Sequence, residues 1–118
     1  MKHIQVVDLR ESLKGIDICE FSNASVAPAL ESDDSKEFSS RLFELLPEGH
    51  TESHSHAHEQ LHYILEGTGK GVIDGRDVPL KEGDILLVNG HEEHQFFNTS
   101  SAPFRFLVFF SSHGKPRV

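Results

Sequence analysis

Short apolar runs broken by turn signals about every ten residues run through the chain, the pattern of a β-sandwich or barrel. Ile4–Leu9 reads as a first strand. Residues 22–36 are rich in Ser, Asp and Ala around Pro28 and read as a loop with at most a short helical turn. Phe38–Leu46 reads as a strand that stops at Pro47-Glu48-Gly49. Gln60–Leu65 is a further strand, stopped by Glu66-Gly67. Gly69–Ile73 leads into Asp74-Gly75, a two-residue hairpin signal. Asp77–Leu80 returns as an edge strand, because Pro79 cannot donate to a ladder. Ile85–Val88, His94–Asn98 and Phe104–Phe110 complete the set. In the last of these, Phe104, Phe106, Val108 and Phe110 alternate with other residues and so share one face. No apolar pattern of helical period extends over ten residues, and no internal repeat or linker interrupts the chain.

Composition narrows the function. At 118 residues the chain reads as one domain spanning 1–118, large enough for a core. Its formal net charge of −8 argues against nucleic acid and anionic membranes as partners. It has no apolar run of 18 residues to span a bilayer, and its start lacks a signal-peptide core. A lone cysteine, Cys19, excludes an internal disulfide and reads as a small buried thiol. Together these features point to a reducing, cytoplasmic setting.

Nine histidines in so short a chain change the picture, because seven of them fall in two windows. His50, His54, His56, His58 and His62 form the first, and His91 and His94 the second. Residues two apart on a strand point to one side, so His54, His56, Gln60 and His62 can converge if the segment is extended. A bend near His58 would break that register. His94 would have to reach them across a folded sheet. Imidazole suits first-row divalent ions. Composition alone leaves two readings open, a metal site and a solvated histidine-rich loop.

The spacing of both windows resembles the two motifs of the cupin superfamily. In the first, about residues 49–67, Gly49 opens, His54-Ser55-His56 supplies the histidine pair, Gln60 stands at the acidic position and Gly67 closes. In the second, about residues 83–98, Gly83-Asp84 opens, His94 is the histidine and Asn98 closes. A register with His56 and His58 as the pair places Gln60 too close and Gly67 off pattern. The usual proline and glycine of the second motif are replaced by Asn89 and His91, and Asn89-Gly90 still offers turn chemistry. Some cupins resembling enzymes of uronate breakdown also carry glutamine at the carboxylate position.

The resemblance implies an all-β fold, a double-stranded β-helix or jelly-roll barrel of RmlC-like type. It also implies one divalent transition metal ion (Fe, Ni, Mn, Zn or Co) held by His54, His56, Gln60 and His94, and a homodimer. Three histidines and an amide leave the ion its full charge, so an anionic, oxygen-rich small-molecule ligand is expected. Isomerase, lyase or tautomerase chemistry follows as one expectation. An Fe(II) dioxygenase and a non-catalytic ligand-binding barrel are the others. His62 shares parity with Gln60 and is the candidate proton carrier. Phe96 shares parity with His94 and is a candidate cavity wall. Arg41 and Arg105, in apolar strand contexts, are candidates to bind a substrate carboxylate.

Overall fold

The computed structural model describes residues 1–18 and 20–113. The expectation for Cys19 lies outside the described residues. The described residues form nine strands: β1 (Lys14–Gly15), β2 (Ser22–Leu30), β3 (Phe38–His50), β4 (Gln60–Glu66), β5 (Thr68–Ile73), β6 (Arg76–Lys81), β7 (Ile85–Val88), β8 (His94–Asn98) and β9 (Phe104–Ser111). They run in the order β6-β5-β8-β3-β9-β4-β7, with β2 on the free side of β3 and β1 on β2. The result is the expected all-β jelly roll, a sheet curled around one interior. Among the described residues no helix is long and apolar enough to cross a membrane.

β3 joins the two halves. From Phe38 to Leu45 it pairs with β9, while His50 pairs with Phe97 of β8 on the other half. Between these ladders Glu48 takes a left-handed conformation (φ 67°), which turns the strand without ending it. The expected stop at Pro47 is therefore a bend inside a longer strand. The Phe face of β9 fills the interior: Phe104, Phe106 and Val108 are buried with Leu45, Ile64, Val88 and Phe96. Phe43 and Phe106 stack at 5.5 Å. The Asp74-Gly75 hairpin turn has the two positive φ values, 49° and 78°, that match strand twist. β6 lies at one end of the strand order, as Pro79 requires.

Two expectations need correction. Ile4–Leu9 is not a strand; Val6–Ser12 forms a 3-10 helix with no fully buried residue. Its apolar residues fall at a spacing of three, which a 3-10 helix gathers on one face. Val6 and Leu9 are half-buried while Val7 is exposed. Arg10 anchors the helix by an ion pair with Glu66 at 3.0 Å. Within the expected loop 22–36, Ser22–Leu30 is strand β2, paired along β3. Its buried residues are Ala24 and Ala27, small and on opposite faces, so they form no apolar stripe, and a register shift lies near each end of the strand. Only the acidic end behaves as a solvated turn, closed by Glu31 N–H donating to Asp34 Oδ2 at 2.9 Å.

Candidate metal centre

The histidine segment between β3 and β4 is held against β8 by its backbone. Thr51 N–H donates to Phe96 O (2.9 Å), His54 N–H to His94 O (3.1 Å) and His94 N–H to His54 O (2.9 Å). Phe96 N–H also donates to the Thr51 hydroxyl at 2.9 Å. His54 and His94 thus form an antiparallel bridge, which sets their side chains next to each other. Further along, His91 N–H donates to His56 O at 2.7 Å. A Cβ on Gly90 would sit 2.4 Å from Ala57 O, so only glycine lets this turn close on the histidine segment. Glycine is equally required at Gly67, where φ is +84° and a Cβ would meet Pro103 O at 2.3 Å. Asn98 ends β8 by donating to Leu45 O (2.8 Å) and Ala102 O (2.7 Å).

His54, His56 and His94 come together. One ring nitrogen from each lies within 4.8 Å of the others. The ring centroids are 4.5 Å apart for His54 and His94, 5.0 Å for His56 and His94, and 5.4 Å for His54 and His56. Every Nδ1 meets a backbone carbonyl: His54 with Glu52 O (3.1 Å), His56 with His58 O (2.8 Å) and His94 with Glu92 O (2.9 Å). A carbonyl only accepts, so each Nδ1 carries the proton and Nε2 is the ring nitrogen that can serve as a ligand atom. Outer hydrogen bonds of this kind orient metal-binding histidines. The buried Nε2 atoms of His56 and His94 have no hydrogen-bond partner among the described residues. Such orphaned acceptors are costly unless something binds them. The donor set fits a divalent first-row ion.

The cluster lines a cavity of about 50 Å³. Gln60, at the start of β4, and His62 line the same cavity, as do Arg41 and Phe96. His62 is buried, with Nδ1 unpartnered and its ring 4.5 Å from Phe96 and 6.4 Å from His94. Burial pushes the His62 imidazole down to about 3, with neighbouring His94 adding to the shift and a backbone hydrogen bond to Leu86 opposing it. Burial likewise lowers His94 to about 4, against its hydrogen bond to Glu92. Both rings are neutral at ordinary pH, the state a metal ligand needs.

The structure places Arg105 elsewhere. Its guanidinium donates to Glu44 at 2.7 Å and also bonds Glu66, away from the cavity-lining residues. Those ion pairs raise the Arg105 guanidinium against the lowering effect of burial. His58 is exposed in an outer groove beside Glu59 and Leu87, and His91 is a turn residue with φ 68°. The sequence reading missed the part played by Thr51, and by Phe21 and Phe43 as walls. Thr51 follows the first glycine of the histidine window, a position where a hydroxyl can bond a neighbouring strand. Phe21 carries no such signal.

A jelly roll whose interior presents three convergent histidines from two motifs defines a class of barrel that could hold a metal ion. The chain belongs to the cupin family: the family model described as "Cupin domain" matches residues 41–110. An oxalate-binding protein of Thermotoga maritima is 38% identical over 56 residues, covering 45% of this chain and 46% of that protein. The match thus spans about half the length of that relative. Among solved structures, a predicted oxalate decarboxylase of the same organism has a TM-score of 0.69 and 27% identity, over 75% of this chain and 79% of that one. The polyketide cyclase RemF of Streptomyces resistomycificus has a TM-score of 0.86 over 98% of this chain and 82% of its own, at 24% identity, a likeness of fold alone.

Proposed function

We propose that this cupin is a metal-dependent enzyme acting on a small, oxygen-rich organic anion, by isomerase, lyase or tautomerase-type chemistry. The observation that carries the reading is the convergence of His54, His56 and His94, one ring nitrogen of each within 4.8 Å of the others, with every Nδ1 held by a backbone carbonyl. Gln60, on the same cavity, completes the proposed ligand set. When bound, a divalent ion supplies Lewis acidity toward carbonyl or carboxylate oxygens. The four ligands carry no charge, so the site favours anions. The small cavity suits a ligand of few heavy atoms better than a polyketide-sized one. Likeness to an oxalate-binding protein supports a small carboxylate as ligand.

His62 is the proposed proton carrier. His62 lines the cavity, its Nδ1 has no hydrogen-bond partner among the described residues, and its low proton affinity means that a proton taken up there is passed on rather than held. Phe96, packed on the His62 ring, excludes water from that side. The protein is proposed to work as a homodimer.

The test is a panel of small carboxylates incubated with metal-loaded and metal-stripped protein, in air and without oxygen. Metal-dependent turnover that persists without oxygen is expected. Turnover tied to oxygen consumption would favour a dioxygenase instead. Tight binding with no turnover of any member would favour a non-catalytic ligand-binding barrel.

A further inference from the structure

Arg41 stands out among the cavity residues because nothing in the fold explains it. It sits on the inner face of β3, directly opposite Val108, which in turn lies opposite His62 on β4. Arg41, Val108 and His62 therefore form one row across the cavity floor, the two outer residues about 10 Å apart at ordinary strand spacing. The guanidinium lies over the Phe110 ring at 5.7 Å, which holds it at the cavity wall. Among the described residues it takes part in none of the ion pairs or hydrogen bonds formed by side chains. Glu31, on its outer side, acts on it only through space. Phe43 and Phe106 line the same space, so the charge faces a low-dielectric interior. Burial lowers its proton affinity, and an arginine keeps its charge regardless. A half-buried cation that faces apolar walls, with no carboxylate in hydrogen-bond contact among the described residues, suits an anion on its inner side.

We propose that Arg41 is the second anchor of the ligand, and that the cavity takes a short anion with two separated acidic groups: one carboxylate on the guanidinium, the other oxygen group at the histidine cluster. The proposal rests on the metal-site reading above and deepens it. A guanidinium grips a carboxylate through two parallel hydrogen bonds. The volume of about 50 Å³ limits the spacer between the two groups to a few atoms. Oxalate can chelate at one end but has no spacer to bridge both.

The experiment measures binding of malonate, succinate and their half-amides, with acetate as control, to cobalt-loaded protein by calorimetry. Metal content is read in parallel. Malonate or succinate should bind at least tenfold more tightly than its half-amide in the native chain. Arg41→Met should abolish that preference and leave metal content unchanged, and Arg41→Lys should restore part of it. Equal binding of diacid and half-amide by the native, metal-loaded chain would overturn the Arg41 assignment, whether or not either variant folds. Failure to take up metal at all would instead overturn the reading of the histidine site.

Discussion

At the scale of single residues, the proposed chemistry turns on the shared tautomer of the three histidines and on buried His62. His62 has a further consequence for stability. Its folded-state pKa of about 3 lies below the ordinary histidine value of 6.5. Between those values the unfolded chain binds a proton that the folded chain refuses. Stability contributed by neutral His62 is therefore complete above about pH 6.5 and is lost as the pH falls toward 3, by at most about 1.4 kcal/mol per unit. Urea unfolding of metal-free protein should show this slope, and His62→Phe should reduce it between pH 6 and 4, leaving the part due to His94. An identical slope in the variant would remove His62 as its source.

The histidines, Gln60 and the proposed anchor Arg41 were all legible as candidates from sequence, because motif spacing is set by local turns and strand parity. Parity within the last strand already set Arg105 opposite the stripe of Phe104, Phe106, Val108 and Phe110, but spacing could not tell which face Arg41 takes. Arg41 pairs with Val108 of the inward stripe, whereas Arg105 pairs with Glu44 on the outward face. Only the register between β3 and β9 reveals it.

At the scale of elements, strands announced by Val, Ile, Leu and Phe were read within a residue or two, as with Ile85–Val88 and His94–Asn98. β2 stayed hidden because its buried residues, Ala24 and Ala27, are small and lie on opposite faces, and register shifts near its two ends break the ladder. The N-terminal 3-10 helix was hidden because two apolar residues at spacing three, Val6 and Leu9, do not fill a helical window. The turn between β7 and β8 offers an opposed pair of tests. Gly90→Ala forces a Cβ into Ala57 O, so it should cost about 1–3 kcal/mol. It should also weaken metal binding, because His56 precedes Ala57. His91→Gly relieves a left-handed histidine and keeps the backbone bond to His56, so it should leave stability unchanged or raise it by up to about 1 kcal/mol. Thermal unfolding with and without metal compares them; a Gly90→Ala protein as stable as the native chain would contradict the close approach.

At the scale of the whole molecule, the curled sheet has two different faces. Inward it presents phenylalanines and the site. Outward, β4 and β7 carry Tyr63, Ile85 and Leu87, of which Ile85 is 66% and Leu87 48% exposed. β7 ends the strand order, so its outer edge has no strand partner among the described residues. An exposed apolar patch beside a free edge favours association. Sedimentation should show a dimer, and Ile85→Lys combined with Leu87→Glu should give monomers with unchanged metal content. A native chain that remains monomeric at high micromolar concentration would remove the dimer.

The central claim is that two windows of a short sequence meet to hold one metal ion, and it is tested by elemental analysis of untagged protein. The native chain should carry about one first-row divalent ion per chain, and His54→Ala, His56→Ala and His94→Ala should each lose most of it while remaining folded. Full occupancy in all three variants, or a native chain that binds no ion when one is supplied, would contradict it.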